Sequence, residues 1–143
     1  MSLFYHDISL LYVVNTTIFC LHVNFPGGIP IDGPSAGAAM FLALYSAYTE
    51  TPVPNTLALT GEIGLHGQIL PVGGVEDKLE AAQQAGATLA LIPQENWREV
   101  YREMEIEVVP VGDAETLLRR VFPPGEGATL SEGMEFLVGQ EIG

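Results

Sequence analysis

Ser35 lies in the stretch Asp32-Gly33-Pro34-Ser35-Ala36-Gly37. Lys78, the sole lysine of this 143-residue chain, lies 43 residues downstream in Gly73-Gly74-Val75-Glu76-Asp77-Lys78. A serine hydroxyl attacks a carbonyl only when a base takes its proton and donors await the oxygen that becomes negative. A neutral amine can fill the role that histidine fills in a catalytic triad, so the two residues suggest a Ser-Lys dyad. Gly33 and Gly37 permit tight turning beside the serine. If Ser35 opens a helix, nearby N–H groups are free and the dipole favours an anion, which would make an oxyanion hole. The plainer role is an N-cap, and Ser35 alone fits that role better. Lys78 shifts the balance. An amine accepts a proton only when neutral, and burial disfavours its charged form; Val72, Val75, Leu79, Ala81 and Ala82 offer such surroundings. The plainer role for Lys78 is a solvated helix lysine beside Glu76 or Asp77, which is less expected where lysine is used once.

Thr60 and Glu62, in Thr60-Gly61-Glu62, fall at the end of an expected strand. Thr60 could hydrogen-bond the Lys78 amine or Ser35, although threonine is common in strands for propensity alone. Glu62 could orient a neighbour or simply be solvated. Asp32 could shape the loop before Ser35, with an Asx turn as its plainer role. His22 and His66 are possible polar partners, but structural histidines are the simpler reading, and their spacing makes no metal site with Cys20.

These residues need a scaffold. Strand propensity over residues 8–21 suggests a hairpin near Asn15, and residues 17–25 read as a strand ending at Pro26-Gly27-Gly28. A loop over 29–34 leads into an Ala-rich segment, residues 35–49, apolar nearly all round and expected as a buried helix, which Pro52 and Pro54 end. Strands are expected at 55–63 and 68–72 about a turn at 64–67. A helix should run over 75–85, closed by Gly86. Then follow a strand at 88–92, an amphipathic helix at 94–104, a strand at 106–109 and a helix at 114–122. This alternation predicts an α/β fold in one domain over residues 1–122. Gly, Pro and Glu dominate residues 123–143, expected as a loosely ordered tail.

Composition excludes several functions. Eighteen acidic against five basic residues give a formal net charge of −13. That speaks against nucleic acid and anionic membrane surfaces, whose phosphates need Lys/Arg patches. The apolar run at 8–21 holds Asn15, Thr16 and Thr17 and is too short to span a bilayer. No Lys or Arg precedes it, so a secretory signal is not expected. The single cysteine, Cys20, suits a reducing cytoplasm and is expected to be buried rather than reactive.

Taken together, the motifs resemble the proteolytic domain of Lon proteases. They are His22-Val23-Asn24-Phe25-Pro26-Gly27-Gly28 and Pro30-Ile31-Asp32-Gly33-Pro34-Ser35-Ala36-Gly37, then Thr60-Gly61-Glu62-Ile63 with Gly67. Leu70-Pro71-Val72-Gly73-Gly74-Val75 follows, then Lys78 with Ala81-Ala82 and Ala85-Gly86, then Ile92-Pro93 and Glu95-Asn96. A set of this length and order, running from about His22 to Val121, is specific. The resemblance implies Ser35 as nucleophile and Lys78 as general base. Thr60, Gly33, Ala36, Glu62, His22 and Asp32 would support them. It implies a compact α/β (α+β) domain related to the ribosomal protein S5 domain 2-like architecture. It also implies a hexameric ring that degrades unfolded or damaged cytoplasmic proteins. Three differences stand out. No Gly-x-x-x-x-Gly-Lys-Ser/Thr occurs in the sequence, so ATP and magnesium would act only through an AAA+ ATPase module not encoded here. The family domain normally has several dozen more residues before the stretch matching His22, which residues 1–19 do not obviously supply. Many relatives carry a second histidine, an acidic residue and a lysine where Asn24, Gly27 and Ile31 stand; the Phe-Pro-Gly-Gly form resembles one Lon subgroup. The alternatives are a catalytically silent Lon-like domain used for assembly or binding and, more weakly, a phosphate site at Gly73-Gly74.

Overall fold

The computed structural model describes residues 9–11, 20–22 and 33–123. Strands β1 (Ser9–Leu11) and β2 (Cys20–His22) form an antiparallel pair with Leu11 opposite Cys20; the expected turn near Asn15, the rest of the strand expected at 17–25 and the loop at 29–32 lie outside the described residues. The rest is an α/β unit around a parallel sheet. Its strands are β3 (Leu57–Leu59), β6 (Leu89–Pro93) and β7 (Glu107–Val111), in the order β3-β6-β7. Between β3 and β6 the chain makes a short antiparallel hairpin, β4 (Glu62–Ile63) with β5 (Ile69–Leu70), and then helix α2 (Val75–Gln84). Helix α1 (Gly37–Thr49) precedes β3, and α3 (Ala114–Val121) follows β7.

The sheet has covered faces on both sides, and period-two alternation along its strands divides the core. On one face Leu57, Leu91 and Val111 pack with Ala38, Leu42 and Tyr45 of α1 and Leu117, Leu118 and Val121 of α3. On the other, Ala90 and Ile92 pack with Val75 and Leu79 of α2 and with Tyr101 and Ile106. This α/β unit is therefore three layers, with α1 and α3 on one side of the sheet and α2 on the other.

The helix boundaries have local causes. Ala38, Leu42 and Tyr45 recur at helical spacing and form the buried face of α1. That helix is buried on one face only, since Tyr48 is 49% exposed. It ends where Glu50 turns left-handed and donates its N–H to Ser46, ahead of Pro52 and Pro54. Gly86, with φ +84, closes α2 as expected. Asp113 caps α3 by accepting the Thr116 N–H at 2.7 Å.

Two expected elements differ. Residues 55–63 are not one strand. The chain leaves the parallel sheet after Leu59 and re-pairs from Glu62 with β5, turning at Gly61. Gly61 has φ +157, and a Cβ there would lie 2.8 Å from Ile69 Cγ2, so tertiary packing overrides the continuous strand propensity. Residues 94–104 are not one helix either. They form two short 3-10 segments, Gln94–Asn96 and Glu99–Glu103, with Trp97 and Arg98 extended between them. The Asn96 side chain bonds the Val72 backbone instead of pointing to solvent, and Val100, which completes the apolar pattern on paper, is 58% exposed.

Leu91 is fully buried in the central strand between the helices of one face. Leu91→Ala should lower the unfolding free energy by roughly 2–5 kcal/mol. Val100→Ala should change it by less than about 0.5 kcal/mol. Urea unfolding followed by circular dichroism reads both, and equal effects would contradict this placement of the core.

Candidate active site

The site forms where β3 ends. Thr60 follows the last residue of β3 and extends its pairing with β6, donating its N–H to Leu91 O at 3.2 Å. Its side chain is almost wholly buried, with the residue 9% exposed. From one face of the sheet comes the turn before α1, a 3-10 segment at Pro34–Ala36. The Ser35 carbonyl accepts the Gly61 N–H at 3.0 Å and the Thr60 hydroxyl at 3.4 Å. Ala38 N–H returns to Gly61 O at 3.0 Å. The strand exit and the serine turn are thus tied by main-chain bonds on both sides of Gly61.

From the other face comes α2. Gly74 precedes it in the left-handed region, φ 65, where a side chain would be strained, and the Lys78 N–H closes on Gly74 O at 3.1 Å. Lys78 is half-buried. Its Nζ donates to Gly73 O at 2.9 Å and to the Thr60 hydroxyl at 3.4 Å. One hydroxyl therefore accepts from Lys78 and donates to Ser35, and it bridges elements on opposite faces of the sheet. The Lys78 amine is not hydrogen-bonded to the Ser35 hydroxyl in this arrangement. Among the described residues no salt bridge reaches Lys78 either: Glu76 pairs with Arg98 at 2.5 Å, and Asp77 is exposed. Of the apolar residues expected around Lys78, Val75 and Leu79 are buried and Val72 and Ala82 half-buried, whereas Ala81 is exposed.

The expected helix start is corrected in two ways. Ser35 sits in the 3-10 turn and α1 begins at Gly37. Neither Gly33 nor Ala36, the residues preceding the two segments, is a side-chain cap, so the Ser35 hydroxyl is not used as one. The N–H groups just beyond it are engaged: Gly37 donates to Pro34 O and Ala38 to Gly61 O. An oxyanion hole made from free first-turn donors at these two positions is therefore absent.

Beside the turn lies an open cleft of about 410 Å³, lined by Gly33, Pro34, Ala36, Gly37, Met40, Glu62 and Ile63. Of the supporting residues predicted, Gly33, Ala36 and Glu62 line this cleft, and Thr60 bridges Ser35 and Lys78. Glu62 is half-buried on β4, on the cleft and away from the Lys78 contacts. His66 is exposed at the hairpin turn. His22 and Cys20 lie on β2, placed by their backbone alone; Asp32 and residues 124–143 lie outside the described residues. Met40 and Ile63 were not singled out as site residues, since an apolar helix and a strand end carry no signal distinguishing a cleft wall from core. Among the described residues no group of three His, Cys, Asp or Glu side chains is placed to hold a metal ion. No helix among them is long and apolar enough to cross a membrane.

A parallel α/β unit with a serine turn and a lysine helix meeting at a strand's carboxyl end is the kind of crevice in which open α/β sheets place their sites. Residues 12–121 match the family model of the Lon protease (S16) C-terminal proteolytic domain. The chain is 46% identical over 109 residues to Lon protease 2 of Bacillus subtilis (strain 168), covering 74% of this chain and 20% of that protein. It is 41% identical over 106 residues to Lon protease of Rickettsia bellii (strain RML369-C), covering 70% of this chain and 14% of that protein. It is 55% identical over 76 residues to Lon protease of Clostridioides difficile (strain 630), covering 52% of this chain and 10% of that protein. The chain belongs to the family of Lon protease proteolytic domains. It spans a fifth or less of the length of these relatives.

Thr60→Val removes the bridging hydroxyl and leaves the Gly61 bond to Ser35 in place. Its unfolding free energy should fall by no more than roughly 1.5 kcal/mol; for the peptidase proposed below, hydrolysis of a short fluorogenic peptide should fall about tenfold or more. Thr60→Ser should restore most of the rate. Equal rates for the valine and serine variants would remove the hydroxyl from the account.

Proposed function

We propose that this chain is a serine endopeptidase domain in which Ser35 is the nucleophile and Lys78 the general base. The observation that carries the reading is the Thr60 hydroxyl, which the Lys78 amine contacts at 3.4 Å and which contacts the Ser35 carbonyl at 3.4 Å. A lysine held at the serine turn with no carboxylate partner among the described residues suits a base better than a surface charge.

In the acylation half, neutral Lys78 Nζ takes the Ser35 Oγ proton and Oγ bonds to the peptide carbonyl carbon. The tetrahedral intermediate collapses with loss of the C–N bond, and the ammonium returns its proton to the leaving nitrogen. In deacylation the amine takes a proton from water, whose oxygen attacks the ester. The proton then goes to Ser35 Oγ as its bond to the acyl carbon breaks. Reaching Oγ requires the Lys78 side chain to swing from Gly73 O, a rotamer change within reach of its flexible stem. The cleft beside Ser35, walled by Met40 and Ile63, suits an apolar side chain next to the scissile bond.

The substrates are unfolded or damaged polypeptides and the working form a hexameric ring in the cytoplasm, with unfolding force supplied by an AAA+ ATPase module outside this sequence. A catalytically silent Lon-like assembly module is the second reading. It is favoured by the Lys78 amine bonding Thr60 and Gly73 rather than the serine hydroxyl.

A fluorophosphonate probe should label the wild-type chain, and Ser35→Ala should abolish the labelling. Lys78→Arg and Lys78→Gln should each lower peptide turnover by roughly a thousandfold or more, the arginine failing because guanidinium stays protonated. Near-normal turnover in either lysine variant would discard the dyad. Labelling that persists in Ser35→Ala would discard the nucleophile. The chain alone should also leave folded proteins intact with or without ATP; ATP-stimulated degradation of a stable folded substrate would contradict that.

A further inference from the structure

We infer that Asn96 is a positioning residue for Lys78, acting through the main chain at Val72 and Gly73. The inference rests on the dyad reading above. Asn96 lies in the segment after β6, on neither Ser35's turn nor Lys78's helix. Its Oδ1 accepts the Val72 N–H at 2.8 Å and its Nδ2 donates to Val72 O at 3.0 Å. One amide side chain thus satisfies both polar groups of one residue, as a neighbouring strand would. The next carbonyl along, Gly73 O, holds the Lys78 amine at 2.9 Å.

Val72 also packs against the core under α2, and Gly74 O accepts the Lys78 N–H at 3.1 Å, so the exposed Gly73 between them is the least confined residue of the segment. A Cβ at Gly73 would meet nothing within 4 Å, so no neighbour packs on the side-chain side of that glycine. The Gly73 carbonyl is therefore aimed mainly by its neighbours, and Asn96 fixes the one immediately before it. A second tie between the segments, Arg98 to Glu76, lies between side chains 67% and 60% exposed, where an ion pair contributes little. The amide pair is the less exposed of the two ties, with Asn96 and Val72 both half-buried. The segment's departure from a regular helix has the same cause: the Asn96 side chain is committed to another part of the chain.

Asn96→Asp keeps the shape but replaces the donor facing Val72 O with an oxygen. It should lower kcat on a short fluorogenic peptide about tenfold to a hundredfold with KM changed less than about twofold. Amide exchange at Val72 should accelerate. Arg98→Ala, the control, should stay within about twofold of wild type in kcat. The deciding readout is the rate of fluorophosphonate labelling at Ser35 in a Lys78→Gln background. A residue that acts only through Lys78 has nothing left to position there, so adding Asn96→Asp should leave the residual labelling rate unchanged. Unchanged kcat in Asn96→Asp, or the same fractional loss of labelling with and without Lys78, would overturn the inference. Should Asn96→Asp fail to fold by circular dichroism, Asn96→Gln carries the same comparison. Full activity in Lys78→Gln alone would instead overturn the dyad. An inactive Lys78→Gln beside a fully active Asn96→Asp would overturn this inference only.

Discussion

The Thr60 hydroxyl is the contact on which the candidate site depends. It lies at the end of a parallel strand, nearly buried, accepting from Lys78 and donating to Ser35 O. Its place is set by the pairing of β3 with β6, because Thr60 N–H continues that ladder to Leu91 O. Leu91 is one of the fully buried sheet residues, with Val111, that pack in one cluster with α1 and α3. The same hydrogen-bonded pair that organises the core therefore fixes the hydroxyl between serine and lysine. Sites need this kind of support, since an error of an ångström in a reacting group can cost orders of magnitude in rate.

The sheet also explains how residues distant in sequence meet. Ser35 belongs to the layer of α1, Lys78 to the layer of α2, and the sheet lies between the two layers. Only at a strand end can side chains from both layers reach one point. Gly61 makes that end possible: its backbone turns out of the sheet where a larger residue would collide with Ile69, and it binds Ser35 and Ala38 as it turns. The hairpin that follows brings Glu62 and Ile63 to the cleft wall. The interruption of the strand is thus part of how the cleft is built.

Much of this was legible in the residue pattern. Alternation of apolar runs with glycine and proline punctuation located the three α-helices and the parallel strands of the described residues. Glycine at 86 marked the end of α2 correctly. The motifs around Ser35, Thr60 and Lys78 pointed to the three residues that the fold brings together. What stayed hidden depends on contacts between distant segments. Nothing local says that Gly61 must bend toward Ser35, so residues 55–63 read as one strand. Nothing local says that Asn96 reaches back to Val72, so residues 94–104 read as a helix. The engaged N–H groups of Gly37 and Ala38 were invisible for the same reason, since their acceptors depend on how the serine turn folds back on Gly61.

In the proposed function this hydroxyl-bridged arrangement becomes a working dyad when a substrate carbonyl arrives. The most direct test is a crystal structure of the chain reacted with a peptide boronate, which mimics the tetrahedral intermediate. The account predicts boron bonded to Ser35 Oγ and the Lys78 Nζ within hydrogen-bond reach of it, about 2.6–3.2 Å, with Thr60 Oγ1 still beside the amine. Boron on another residue, or a Ser35 adduct with the Lys78 amine still turned to Gly73 and more than about 5 Å from Oγ, well outside that reach, would contradict it.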